Sequence, residues 1–485
     1  MISSIKFNFA LNLANTVSRL LFPLITFPYV SRILLAEGIG QVQFFQGIID
    51  YISLCSALGI PLYAVREVAR VRNDKACLCK MTVEILLLHS ALTLMGYGAV
   101  YVLVATVAKI QMDIPLFLLL SASLFFDAIG GVWFYQGIED FKYITIRGIA
   151  VRIFSLICLF VFVRSKSDLF YYAAIIVTAN AGGNLFNFVR LRKHLDTSLL
   201  CLKELRLLRH LRPALHLFAI NVINSIFINL DTVMLGFMKS EAVVGYYTVS
   251  IRITGVILGI VQSLGAVLLP HLTNLASHSR MEEFRQLVNK ALSFTLAISL
   301  PLTVGLIFMA KPLIHLFVGH RFEPAILTVQ IMAPLILFIS ISRMMCWQIL
   351  FPLNEEKKVF YTMLAGAAVN FVMNLLFIPS YSQYGAGGAT CVAEGLVAVI
   401  AIAFARRTIP IQLFSQRNFH YCIVSLCIAV SLYVWKNLVT DETGYVLVGV
   451  LSSALIYGGY LWYKKDTFIL QIKRGIVNLL VQKVL

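Results

Sequence analysis

Four polar residues at helical spacing stand near the start of this sequence. Asn8, Asn12, Asn15 and Arg19 lie four, three and four positions apart in "NFALNLANTVSR". At about 100° per residue they share one narrow stripe of a helix. Their neighbours are apolar, so Arg19 is a charge carried into hydrocarbon, at a cost of about 2.5–3.5 kcal/mol on insertion scales. Six further charges interrupt apolar stretches: Asp50, Asp127, Asp231, Arg252, Arg343 and Glu394. Such groups face a bundle interior or a water-filled cavity, where arginines bind an anionic substrate and carboxylates couple transport to a cation or proton. Asn224, with Asn221 and Asp231, makes a second polar face, although asparagines also serve as hydrogen-bonding contacts between helices. Simple pairing, for instance of Arg19 with Asp50, is the competing explanation, and both stay open here.

The elements that must position these groups are membrane helices. Of 485 residues, 59% are apolar and 13% charged, against about 25% charged in soluble domains; the mean hydropathy is +0.85. Fourteen apolar segments between residues 6 and 463 are each long enough to cross a bilayer, which takes roughly 20 residues. The expected fold is an all-α polytopic membrane protein with about 14 transmembrane helices. The first segment holds Arg19 and no clean cleavage site, so it reads as a retained span rather than a signal peptide. Of the 40 lysines and arginines, 29 fall in alternate connections and the C-terminal tail, a set that takes in Arg147 and Arg152. Under the positive-inside rule both termini and the basic connections are cytoplasmic. The net charge of +17 then orients the chain and meets anionic membrane lipids. Nucleic acid is not needed as a partner.

The organisation reads as a six-helix lobe over 1–192, a basic cytoplasmic connection over 193–212, a second six-helix lobe over 213–408, and two additional helices with a basic tail over 409–485. A weak internal echo supports two related halves: "LAEGIGQVQF" and "SEAVVGYYTV" each follow the first span of their half, with Gly40 and Gly245 in register. Inverted or parallel repeats of this size suit a transporter. Pro23 and Pro28 each remove a helix hydrogen bond and bend the first span, as a static kink or as a hinge. His315 and His320 are five apart, off one helical face, so they read as a surface loop and no metal site is expected. Cys77 and Cys79 lack a zinc or redox spacing. P-loop, nucleophile-elbow and zinc-protease motifs are absent, and no catalytic residue is expected.

Ordered short stretches then carry a resemblance. They are "FPYVSRILLAEGIGQVQF" (27–44), "ALGIPLYAVREVARVR" (57–72), "WFYQGIEDFKYITIR" (133–147), "NLDTVMLGFMKSEAVVGYYTVSIRI" (229–253), "FVGHRFEPAILTVQIMAPLI" (317–336) and the segment from Asn354 to Gly395. Together they resemble the polysaccharide transporter family, the Wzx-type O-antigen repeat-unit flippases of the multidrug/oligosaccharidyl-lipid/polysaccharide exporter superfamily. The resemblance implies two six-helix lobes in a V around a central cavity, plus two extra C-terminal helices. It also implies alternating access that carries undecaprenyl-pyrophosphate-linked oligosaccharide across the bacterial inner membrane, for O-antigen, capsule or exopolysaccharide synthesis. Arg19 and Arg252, and beside them Arg343, would then meet the pyrophosphate in the cavity; Asn8, Asn12, Asn15 and Asn224 would meet sugars or water. No cofactor is implied beyond a Na+ or H+ gradient acting through Asp50, Asp127, Asp231 or Glu394. A polysaccharide polymerase and chain-length machinery are the implied protein partners. A drug/cation antiporter of the same superfamily is the alternative, disfavoured by three intramembrane arginines. A membrane polymerase or ligase is disfavoured by the short external connections.

Overall fold

A computed structural model describes residues 5–195, 205–413 and 415–464. Among them every regular element is helical. The helices are α1 (Ile5–Ala57), α2 (Ile60–Val71), α3 (Lys75–Thr106), α4 (Ala108–Gln111), α5 (Ile114–Gly130), α6 (Val132–Gly137), α7 (Phe141–Phe162), α8 (Leu169–Val177) and α9 (Gly183–Leu191). They continue as α10 (Leu211–Met238), α11 (Glu241–Ser277), α12 (Met281–Phe317), α13 (Ala325–Met332), α14 (Leu335–Met345), α15 (Glu356–Thr408), α16 (Gln416–Leu438) and α17 (Glu442–Tyr463).

Eleven helical stretches are long and apolar enough to cross a membrane. Two of these are double. Helix α1 has 53 residues, about 80 Å at 1.5 Å per residue, against a hydrocarbon core of about 30 Å. Its backbone breaks at Leu35, where φ is 59°. The first half lies along α7: Thr145 donates to the Leu11 carbonyl near one end (3.1 Å), and Tyr29 donates to the Val163 carbonyl at the other (2.8 Å). Past the break, Gln41 donates to Asp113 just ahead of α5 (3.0 Å), so the chain turns and runs back. Helix α15 does the same at Ser382, φ 53°. A Cβ on Gly385 would sit 2.5 Å from the Phe377 carbonyl oxygen, and Asn370 donates to Thr390 across the same hairpin (3.2 Å). Counting both pairs and adding α10 brings the number of crossings to about fourteen.

Helix starts are set by acceptors in the connections. Asp74, Asp113, Asp140, Ser415 and Asp441 each accept a backbone N–H from the first turn of α3, α5, α7, α16 and α17, satisfying donors that a helix leaves open. Large apolar side chains stand exposed on the outer surfaces, among them Leu94, Met95, Tyr101, Leu426, Leu451 and Leu455. In water such a surface would aggregate; in a bilayer it is the lipid-facing side.

Two compact units divide the contacts, residues 1–245 and 246–485. The core of the first gathers Ile60, Ala64, Val68, Ile85, Phe134 and Tyr135. That of the second gathers Phe284, Val288, Leu292, Ile349, Leu350, Ala401 and Ala405, where the small residues of α15 let helices approach closely. Within the first unit the two echoed segments touch. A Cβ on Gly40 would lie 1.7 Å from the Glu241 carbonyl oxygen, and one on Gly245 would lie 2.0 Å from that of Ala36. The register shared by these glycines is therefore a backbone-to-backbone crossing. Gly245→Ala is expected to lower stability by about 1–3 kcal/mol through overpacking, read as a lower detergent melting temperature. Gly98→Ala, which points into open space, is the control that should leave it unchanged.

Candidate functional site

The polar stripe of α1 can be followed in the first unit through Asn15, which is buried. Its Oδ1 accepts from Arg152 Nη1 (3.1 Å), and the same nitrogen donates to Ser18 Oγ (2.5 Å). The side chains of Asn8, Asn12, Arg19 and Asn224 lie outside the described residues. Arg152 lies eleven residues inside α7, about 16 Å along the axis from Phe141. This corrects the reading that placed it in a basic connection: it is an intramembrane arginine. Arg147 lies lower on the same helix and donates to the Gly183 carbonyl (3.0 Å). Below it, the Arg190 guanidinium stacks 3.9 Å over the Tyr143 ring and pairs with Asp140 at 2.8 Å. Guanidinium groups thus climb from the basic end of α7 towards mid-membrane, each oriented by a hydrogen bond or a ring. They offer fork-shaped donors that suit phosphate oxygens.

The carboxylates of this unit are held by amides. Asp50 accepts from Gln46 (2.8 Å) and, at the long limit of 3.5 Å, from Asn229 on α10. Asp127 on α5 accepts from Asn184 on α9 (3.0 Å), which packs where Gly130 leaves room. Asp231 on α10 is buried. Pro23 and Pro28 lie inside α1, which stays helical through both; the non-helical backbone is at Leu35 instead.

In the second unit Arg343 stands near the end of α14, immediately before a wide helical turn over Cys346–Leu350. Turns of this π type insert an extra residue and are frequent at functional sites. Arg343 opens into a cavity of about 270 Å³ whose wall also carries Gln262, Phe294, Thr295, Trp347 and Gln348. Gln348 is buried, and its Oε1 has no hydrogen-bond partner among the described residues. A guanidinium for phosphate, an indole face for the C–H side of a sugar ring and an open amide acceptor for a hydroxyl meet there. Arg252 on α11 and Glu394 on α15 are half-buried, and Glu394 lies within electrostatic reach of the Cys346 and Cys391 thiols.

Residues 6–276 match the family model described as polysaccharide biosynthesis protein. The chain belongs to the polysaccharide biosynthesis protein family. Residues 155–455 also match the model for lipid II flippase MurJ. A Shigella dysenteriae relative named "Putative O-antigen transporter" is 24% identical over 76% of this chain and 91% of its own length. An Escherichia coli K12 relative of the same name is 23% identical over 80% and 94%. Among solved structures, lipid II flippase MurJ in an inward closed conformation superimposes with a TM-score of 0.76, at 16% identity, over 95% of this chain and 100% of that one. An inward-facing MATE-family multidrug resistance transporter gives 0.64 at 14% identity, over 80% and 94%. These structural likenesses establish the fold. This member of the family is a multi-pass membrane protein.

Three polar groups of this family member escape a reading by span. Arg152 was hidden by its place beside basic residues. Glu84 is fully buried on α3 yet stands close to the basic segment before it. Asn370 and Asn374 form an amide chain on α15 (3.2 Å) that continues to Thr390 and the Tyr247 hydroxyl (3.4 Å). Their i, i+4 spacing in "NFVMN" was the available signal.

Proposed function

We propose that this chain carries undecaprenyl-pyrophosphate-linked oligosaccharide repeat units from the cytoplasmic to the periplasmic leaflet by alternating access, for surface-polysaccharide synthesis. It is a lipid-linked oligosaccharide flippase, the function that its family and both O-antigen relatives support. The observation that carries the finer reading is the cavity of the second unit, where Arg343 stands with a few polar side chains in a largely apolar wall. Arg343, Trp347 and Gln348 offer donors, an aromatic face and an acceptor together, while the outer surface is apolar. In this reading Arg343, Arg252 and Arg19 meet the pyrophosphate. Asn15, held by Arg152, belongs to the sugar-facing or water-facing side, with Asn8, Asn12 and Asn224. The lipid tail stays in the bilayer.

No covalent chemistry is assigned to the chain, and it acts as a carrier rather than an enzyme. Residues 1–192 and 213–408 serve as the two repeats, with 193–212 as the basic link and 409–485 as the added helices and tail. Both termini face the cytoplasm of a bacterial inner membrane, an orientation supported by the 28 lysines and arginines that remain on one set of connections and the C-terminal tail once Arg152 is moved into its helix. The amide-held carboxylates Asp50 and Asp127, with Asp231 and Glu394, are the groups through which a Na+ or H+ gradient would drive return of the empty carrier. Pro23 and Pro28 supply a hinge in the first crossing. A polymerase and chain-length machinery receive the product. In cells, loss of the chain should leave lipid-linked repeat units on the cytoplasmic leaflet and abolish surface polysaccharide. Normal surface polysaccharide in its absence, with no second flippase present, would contradict the proposal.

A further inference from the structure

We propose that the second unit carries a binding site for a divalent transition-metal ion, with Zn2+ as the best fit, built from His315, His320 and Glu323. These residues lie at the membrane face opposite the basic connections. Helix α12 begins beside Arg280 and Arg285 at its basic end and delivers His315 in its last turn at the other. Gly319, with φ 98°, then turns the chain, and the short helical turn His320–Phe322 follows. That turn folds His320 back on His315, so that residues five apart in sequence bring their ring centroids to 4.0 Å. One ligand atom from each of His315, His320 and Glu323 lies within 4.8 Å of the others.

The tautomer of His315 points the same way. Its Nδ1 lies 2.8 Å from both carboxylate oxygens of Glu442, at the start of α17. A carboxylate only accepts, so Nδ1 carries a proton, and Nε2 is the ring nitrogen left to face a metal ion. Carboxylate–histidine pairs of this kind orient a metal-bound imidazole and raise its basicity. His315 is 6% exposed, and its Nε2 has no hydrogen-bond partner among the described residues; Glu323 Oε1 stands 3.6 Å away, beyond hydrogen-bond range. This buried nitrogen faces the His320 imidazole and the Glu323 carboxylate, the arrangement of donors that a metal ion requires. Lys311 approaches Glu442 only at 4.0 Å and on its exposed side. Two imidazoles and one carboxylate select a borderline ion such as Zn2+ over Ca2+ or Mg2+, with water completing a tetrahedron. Zn–N and Zn–O bonds of about 2.0–2.2 Å require His320 and Glu323 to close slightly, and both are exposed and able to move. The bound ion would join the end of α12 to the following turn and, through Glu442, to α17.

The test uses the full chain in detergent, without a polyhistidine tag, titrated calorimetrically with Zn2+ and followed optically with Co2+. The expected result is one ion per chain, tetrahedral ligand-field bands with Co2+, and no competition from millimolar Mg2+ or Ca2+. His320→Ala and Glu323→Gln, both at exposed positions, should each weaken binding at least tenfold. Glu442→Gln should weaken it roughly ten- to a hundredfold, as loss of an outer-sphere partner does. His278→Ala, at an exposed histidine elsewhere, should change nothing. The absence of Zn2+ binding, or equal affinity in the wild type and in His320→Ala, would overturn the proposal.

Discussion

Arg343→Ala is expected to slow flipping of the lipid-linked oligosaccharide by about 10- to 150-fold at unchanged membrane abundance, and Arg343→Lys to retain a measurable part of the rate. The magnitude follows from the bond lost. A hydrogen bond to a charged group contributes about 1.5–3 kcal/mol, and each 1.4 kcal/mol is a factor of ten. Among the described residues Arg343 is the one charged side chain in the wall of its cavity, with no second cation there to replace it. Lysine keeps the charge but loses the fork that grips two phosphate oxygens at once. Arg19→Ala should act in the same direction. There, pairing and binding are separated by a double variant. If Arg19 only neutralises Asp50, adding Asp50→Asn restores transport, because the uncompensated carboxylate is gone; if Arg19 binds pyrophosphate, it does not. The measurement is initial flipping rate against protein amount, for each variant and for the pair.

Glu84→Ala is expected to cost about 3 kcal/mol or more of stability, the lower end of the range for breaking a buried ion pair. The lower end applies because one partner, Arg209, remains half in solvent. Glu84 itself is fully buried and receives three donors from the connection between the two halves. These are the Arg206 backbone N–H (2.8 Å), the Arg209 guanidinium and the His210 ring (2.8 Å). The other His210 nitrogen meets the Tyr63 hydroxyl at 2.8 Å. One carboxylate on α3 thus anchors the basic link that precedes α10. Burial, the largest influence on it, holds the His210 imidazole below its usual pKa near 6.5, so it folds neutral. The unfolded chain then binds the extra proton as pH falls below about 6.5, and stability present at neutral pH declines through that window. His210→Gln should flatten this slope, and Glu84→Ala should lower the detergent melting temperature throughout. A melting temperature unchanged by Glu84→Ala would show that the hub does not hold the link.

The membrane helices were readable because hydropathy needs only local composition. The breaks at Leu35 and Ser382 each fall between two of the fourteen apolar segments, so that one long helix supplies two crossings. The polar stripe is a pattern of the same local kind, a 3.6-residue period that needs no knowledge of neighbours; of its four side chains only Asn15 is among the described ones, and it is buried. What escaped depends on contacts distant in sequence. Arg152 meets Asn15 across 137 residues, and Glu84 meets His210 across 126. Near a basic connection, neither charge looks different from a solvated one. The approach of His315 to His320 was hidden for a sharper reason, since helical spacing rules out a shared face until Gly319 turns the chain. The proline pair illustrates the converse. Both prolines lie inside an intact helix, and the reversal falls at Leu35, whose residue type gives no warning of a positive φ.

The central claim is transport of a pyrophosphate-linked oligosaccharide, and reconstitution in liposomes tests it most directly. The purified chain would be placed in vesicles with a labelled polyprenyl-pyrophosphate oligosaccharide. Leaflet exposure would then be followed by an impermeant quencher, with and without an imposed Na+ or H+ gradient. The account predicts chain-dependent movement of the label between leaflets, faster under one of the gradients and suppressed by Arg343→Ala. Movement no faster than in protein-free vesicles under every gradient, from protein shown to be folded, would contradict it.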